Sequence, residues 1–368
     1  MKKIGNGTFQ QLIEGSGLYV DKTEFIYELA AEPKGEFLFL RPYGFGKSLT
    51  VSTMDALFRG KKELFRDLHI ADAGYSFEAF PVIHIDFAKS DSKMKILLEK
   101  WLFRTLNSIG ESYGVSADGE SPAIAFGTLI ENLYKKYQKG VVILIDEYDR
   151  PVTSSIEDGK NKAEEILGVL ESFYQMIKGY EGMCRFVFVT GRIRLSGLSF
   201  FDNLLDLSGR TEFAGMAGYT EKELQKYFKE YIEEGASTLG ITKKELILAL
   251  NDWYGGFCFV PNGEIVYNPL SIGNFFLMGF CFSNYWYENL AGKCFVPQDI
   301  WNAKYKDSLY KSFDVMNLSG RSAYMQLLFQ LGYLTIGKLI PGTAPEAWHL
   351  VYPNLEAKTS FESVKYER

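Results

Sequence analysis

Three short groups of residues carry the chemistry open to this chain. The first is Gly44-Phe45-Gly46-Lys47-Ser48-Leu49, which follows the apolar run Phe37-Leu38-Phe39-Leu40. A glycine loop between a buried strand and a helix turns backbone N–H groups toward an anion. The lysine ammonium adds a point charge, and the serine hydroxyl suits Mg²⁺. This is the order of a phosphate-binding (Walker A) loop, with one difference. Five residues before Gly46, where the usual spacing asks for glycine, stands Arg41. Because Pro42 follows it, Arg41 is biased to extended backbone and can end the strand with its guanidinium at the phosphates or at a nearby carboxylate. A surface position is an equal alternative.

The second group is Asp146-Glu147, after Val141-Val142-Ile143-Leu144-Ile145. A loop holding Mg·ATP needs a carboxylate at the end of a neighbouring strand for the metal's water shell, and a group that orients the attacking water. Asp146 fits the first role and Glu147 the second, as in a Walker B strand. An isolated Asp-Glu pair more often just ends a strand; the apolar run before it and the phosphate loop upstream favour an ATPase. One further strand, near residues 81–87, lies between the two motifs. NTPases with a strand inserted between the lysine strand and the Asp strand commonly carry Glu beside the Asp.

The third group is Thr190-Gly191-Arg192-Ile193-Arg194, at the end of the apolar run from Arg185. Carboxyl ends of parallel strands face the ligand crevice. Thr190 is therefore a candidate for bonding the attacking water or γ-phosphate, and Arg192 or Arg194 for neutralising charge there. A solvated turn is the plainer reading of the two arginines.

The elements that must position these groups alternate through the first half of the chain. Strands near residues 37–40, 81–87, 141–145 and 185–190 are separated by helical patterns near 49–59, 92–109, 123–136 and 163–177. That alternation predicts an α/β fold with a mainly parallel sheet covered on both faces. Beyond about residue 215 the pattern becomes helical, with capping boxes at Thr220–Glu223 and Thr242–Glu245. The end, a helix near 322–330 followed by two strand-like runs, suggests a winged-helix-like module. The expected division is 1–215, 216–295 as a helical lid, and 296–368.

Composition bounds the rest. The chain has 368 residues, 46% of them hydrophobic, and a net charge of −6, which argues against a general nucleic-acid coat. Four scattered cysteines (Cys184, Cys258, Cys281, Cys294) form no CxxC pair, and no apolar stretch is long enough to span a bilayer, so a cytoplasmic protein is expected. The three histidines stand far apart and suit core or surface positions better than a metal site.

With further pieces, these residues resemble the AAA-ATPase-like family of bacterial and archaeal proteins, predicted ATPases that usually continue into a PD-(D/E)XK nuclease. The pieces include Tyr19-Val20-Asp21-Lys22-Thr23, Arg41-Pro42, Phe45-Gly46-Lys47-Ser48, Leu144 to Asp149 and Thr190-Gly191. Others are Gly218-Tyr219-Thr220, Trp253 to Gly256, Tyr267-Asn268-Pro269, Leu331 to Thr335 and Tyr352 to Glu356. The resemblance implies a P-loop NTPase (AAA+-like) sheet, a helical lid, and ATP with Mg²⁺. It implies that Arg41 in place of the first glycine is normal. It also implies Lys47 and Ser48 as phosphate and Mg²⁺ ligands, Asp146 as the metal-associated carboxylate and Glu147 as the base, with Arg194 at a basic position. The sequence departs from the family at Tyr43-Gly44, where two arginines are usual, and at Cys258, where many relatives have arginine. Twelve residues follow Glu356, too few for the nuclease, which leaves a truncated chain or one that works without it.

The expectation is thus an Mg²⁺-dependent ATP-binding protein, a slow ATPase whose nucleotide state controls its C-terminal region. The alternative is a non-hydrolysing ATP-binding module that holds DNA or a protein partner through that region, with Lys304, Lys306 and Lys311 as basic contacts. Oligomerisation is compatible with either.

Overall fold

The structure, a computed structural model, describes residues 2–5, 7–90, 94–286, 304–305, 320–340 and 347–366. Its centre is a parallel sheet of β1 (Gly35–Leu40), β2 (Val82–Asp86), β3 (Val141–Asp146), β4 (Cys184–Gly191) and β5 (Leu205–Asp206). The spatial order is β2-β3-β4-β1-β5. Every residue of β3 is buried, so both faces of the sheet are covered, as a continuous Val/Ile/Leu run requires. The strand that separates the two motifs in sequence, β2, goes to the sheet edge beside β3. The strand inserted between β1 and β3 in space is β4, which carries Thr190.

Around the sheet lie α1 (Phe9–Glu14), α2 (Thr23–Ala31), α3 (Lys47–Phe58), α4 (His69–Asp72), α5 (Lys95–Tyr113), α6 (Pro122–Tyr137), α7 (Arg150–Ser155) and α8 (Lys160–Gly179). Helix α3 packs on β2, β3 and β4, while α5, α6 and α8 pack on one another. Phe126 and Phe173 stack 4.4 Å apart between α6 and α8. Helix α5 runs four residues beyond the expected end near residue 109, to where Gly114 stops it at φ +61°.

The helical part holds α9 (Glu221–Tyr227), α10 (Lys229–Leu239), α11 (Lys243–Tyr254) and α12 (Pro269–Leu277), with a short hairpin of β6 (Phe257–Cys258) and β7 (Ile265–Val266). Both capping boxes form, each with Thr and Glu satisfying one another's backbone N–H. Nearer the end are β8 (Lys304–Tyr305), α13 (Gly320–Gln330), β9 (Thr335–Ile340), β10 (Ala347–Val351) and α14 (Leu355–Tyr366), with β10 antiparallel to β8 and β9. A helix and a hairpin therefore stand where a winged-helix-like module is expected. Much of that stretch, with Cys294, Lys306 and Lys311, lies outside the described residues.

Two apolar clusters hold the chain. The larger joins the sheet to Phe257, Phe259, Trp286, Leu328, Tyr333 and Phe361, so the C-terminal segments share the core of the α/β part. The smaller gathers Leu224, Phe228, Leu250, Tyr254 and Phe275 around Leu18 and Val20 from the N-terminal segment. No helix among the described residues is long and apolar enough to cross a membrane.

Candidate nucleotide site

The carbonyls of the loop between β1 and α3 are each held by a hydrogen-bond donor, one after another. Pro42 O accepts from Lys47 Nζ at 3.1 Å, and Tyr43 O from the Trp286 indole N–H at 2.9 Å. Gly44 O accepts from Leu270 N (3.2 Å), Phe45 O from Gly218 N (3.0 Å) and Gly46 O from Thr50 N (3.0 Å). Gly44 at φ +83° and Gly46 at φ +91° supply the left-handed turns this path needs. No side chain caps α3 at Gly46, so the first-turn N–H groups stay open, as an anion-binding helix start requires.

These groups form one wall of a cleft of about 410 Å³. Gly44, Phe45, Gly46, Lys47, Ser48 and Leu49 all line it, with Glu147 beside them. Phe45 offers only its backbone, because its ring is packed edge-on against Phe257 and Phe259. Apolar side chains also line it, among them Ile4, Leu12, Leu18, Val20 and Leu270. A lining that combines N–H groups with apolar side chains suits a ligand that, like a nucleotide, has a charged and a less polar part.

At the sheet end, Ser48 hydrogen-bonds Asp146, and the Thr190 hydroxyl donates to Asp146 Oδ1. Burial pushes the Asp146 carboxyl up, and these two hydrogen bonds pull against it. Two adjacent oxygen donors, one a carboxylate, fit an Mg²⁺ whose remaining positions are filled by waters and phosphates. Among the described residues no group of three His, Cys, Asp or Glu side chains can hold a metal by itself.

Glu147 lies in the left-handed region at φ +54°, uncommon for a residue with a side chain. The turn is held by Tyr148 N donating to Thr190 O (2.9 Å) and Arg150 N donating to Glu147 O (3.0 Å). Its carboxylate meets Lys47 Nζ at 3.3 Å and Arg192 Nε at 3.0 Å. Burial works to raise this carboxyl, but the charges of Lys47 and then Arg192 outweigh it and hold it below the usual range. Asp149, fully buried, accepts the N–H groups of Arg192 (3.1 Å) and Ile193 (3.3 Å), so one four-residue stretch anchors the chain leaving β4.

The structure brings Lys47, Ser48, Asp146, Glu147 and Thr190 together. It places the two expected arginines elsewhere. The guanidinium of Arg41, buried to 1% exposure, is sandwiched 4.6 Å from both the Phe39 and Phe259 rings. It donates back to Leu40 O and Ser208 O, because a charge ending a buried strand finds carbonyls before it finds the cleft. Arg194 turns to Asp206, Asp202 and Phe201 O, and Arg192 is the arginine beside Glu147.

Among the cleft-lining residues given no role from sequence is Lys22. Lys22 Nζ bonds Gly215 O (2.7 Å) and Glu223, tying the N-terminal segment to α9. Its presence in the Tyr19–Thr23 piece was the available signal.

The family model AAA-ATPase_like, described as predicted AAA-ATPase, matches residues 3–201. An uncharacterised protein in the vnfD 5′ region of Azotobacter chroococcum mcd 1 is 31% identical over 371 aligned positions, which span 97% of this chain and 68% of that protein.

Proposed function

We propose that this chain, which belongs to the AAA-ATPase-like family, binds ATP with Mg²⁺ in the cleft beside Lys47 and hydrolyses it slowly. The observation that carries the reading is the meeting of Lys47 and Glu147 at 3.3 Å under an uncapped helix start. In this reading Lys47 and the N–H groups of residues 44–49 hold the phosphates. Ser48 and Asp146 hold Mg²⁺, which when bound supplies neutralising charge on the phosphate oxygens. Thr190 fixes the Asp146 carboxylate, and Glu147 orients water and takes its proton. Phosphates drawing off the Lys47 ammonium leave Glu147 with one cation fewer, which restores its basicity. Of the two arginines after β4, Arg192 is the better placed to meet negative charge.

Nucleotide state would reach the helical part (216–295) through Gly44 and Leu270 and through Tyr43 and Trp286, and the C-terminal part (296–368) through the Trp286 N–H held by Glu356. The Arg194 N–H to Gln330 Oε1 contact of 2.8 Å adds a second link to the C-terminal part. Lys47→Ala is expected to abolish Mg·ATP binding, whereas Glu147→Gln keeps binding and loses phosphate release. Wild-type protein whose melting temperature does not rise with Mg·ATP would sink the proposal.

The engagement of both Glu147 oxygens, by Lys47 and by Arg192, favours a second reading: an ATP-binding module without useful turnover that holds DNA or a protein partner. Binding of Mg·ATP with no Glu147-dependent phosphate release decides for it. A salt-sensitive gel shift lost on neutralising Lys304, Lys306 and Lys311 would identify DNA as the partner.

A further inference from the structure

The four loop carbonyls from Pro42 to Phe45 have four partners of three kinds. Lys47 belongs to the loop itself, and Leu270 and Gly218 contribute backbone N–H groups that persist whatever side chains they carry. Among the described residues, Trp286 is the one side chain from outside the loop that holds one of these carbonyls, across 243 positions of sequence. It is fully buried, packed against Tyr333 at 5.2 Å between ring centres and edge-on to Phe257. Beside it, Gly332 at φ +87° lets the chain pass Pro42, where a Cβ would come within 2.8 Å of the proline ring.

Trp286 is in turn held by α14. Glu356, with no exposed surface, accepts the backbone N–H groups of Tyr285 (2.8 Å) and Trp286 (2.9 Å) on one oxygen. Its other oxygen accepts the Ser271 hydroxyl (2.7 Å) on α12, next to the Leu270 N–H that holds Gly44 O. The Ser360 hydroxyl, one turn further along α14, donates to Trp286 O (2.9 Å). A single carboxylate thus ties two supports of the phosphate loop to the C-terminal helix.

We propose that Trp286 is a positioning residue for the phosphate loop, and that Glu356 sets Trp286, so that the C-terminal helix and the nucleotide cleft are energetically coupled. The coupling rests on the nucleotide reading given above. Holding each carbonyl fixes the peptide planes of the loop, and freeing the Tyr43 carbonyl lets the Tyr43–Gly44 peptide rotate and moves the Gly44 N–H out of place.

The test is binding of Mg²⁺ with a slowly hydrolysed ATP analogue, followed by calorimetry and by tryptophan emission. Trp286→Phe, which keeps an aromatic ring but no N–H, is expected to weaken binding about tenfold, the worth of one such hydrogen bond. The wild type is expected to show an analogue-induced emission change, and Trp286→Phe to lack it. Glu356→Gln keeps acceptors for both N–H groups and a partner for Ser271, and should bind as the wild type does; Glu356→Ala should weaken binding to the extent Trp286→Phe does. The double variant Trp286→Phe/Glu356→Ala should bind no more weakly than either single one, because both act through one link. Wild-type affinity in Trp286→Phe, or losses that multiply in the double variant, would overturn the coupling while leaving the nucleotide site standing. Absence of binding by the wild type would overturn both. If Trp286→Phe fails to fold, the Gln and Ala variants of Glu356 still decide: equal affinity in those two overturns the proposal.

Discussion

Glu356 offers a prediction whose sign and size come from its surroundings. Burial pushes its carboxyl from an ordinary 4.5 up to about 7, with the hydrogen bonds from Ser271, Tyr285 N and Trp286 N pulling partly back. Among the described residues none of its partners is cationic. Because the folded value is raised, the stability that neutral Glu356 contributes is fully present below about pH 4.5 and is lost as pH climbs through about 7. A displacement of that size corresponds to about 3 kcal/mol between the two limits. Glu356→Gln removes the titration and keeps the oxygen that accepts both backbone N–H groups. Urea unfolding of both proteins at pH 5 and pH 8 measures this, and the difference between them cancels other titrating groups such as Asp149, pushed up to about 6 mainly by burial. Relative to the wild type, Glu356→Gln should gain about 2.5 kcal/mol on going from pH 5 to pH 8. Parallel pH dependences for the two proteins would refute the reasoning.

Three further substitutions separate support from chemistry. At Gly46, with φ +91° and open space around a Cβ, alanine should cost about 1–2 kcal/mol of stability from backbone strain alone. At Gly44, with φ +83°, the added Cβ meets Asn268 Oδ1 and Leu270 Cβ, each at 2.9 Å, so alanine should cost more than at Gly46, by about 1–3 kcal/mol, in urea unfolding without nucleotide. Equal losses at the two positions would contradict the close approach of α12. Arg41→Lys, which cannot stack a planar guanidinium between Phe39 and Phe259, should lower stability by about 2–4 kcal/mol while changing Mg·ATP affinity less than threefold. A large affinity loss with intact stability would return Arg41 to the phosphates.

Much of the site was legible because its parts are local. Gly46-Lys47-Ser48 must follow a strand and open a helix, and Asp146-Glu147 must end a buried strand, so both carry their geometry in sequence. Thr190 was legible through the rule that parallel strands end at the ligand crevice, and it bonds Asp146. Spatial strand order was not legible: β2 and β4 are both buried apolar runs, and nothing local says which one separates β1 from β3. The arginines were not legible either. Arg41, Arg192 and Arg194 all sit at strand ends, and their directions are set by Phe259, Glu147 and Asp206, which lie well away along the chain or across the sheet. The clasp of Trp286 and Glu356 on the phosphate loop joins segments hundreds of residues apart, and no periodicity marks it.

The central claim is that Lys47 holds ATP and Glu147 turns it over, and the most direct measurement is phosphate release by the wild type, Lys47→Ala and Glu147→Gln alongside their Mg·ATP-dependent rise in melting temperature. The account predicts release and a rise for the wild type, a rise without release for Glu147→Gln, and neither for Lys47→Ala. Undiminished release by Glu147→Gln, or a wild-type melting temperature indifferent to Mg·ATP, would contradict it.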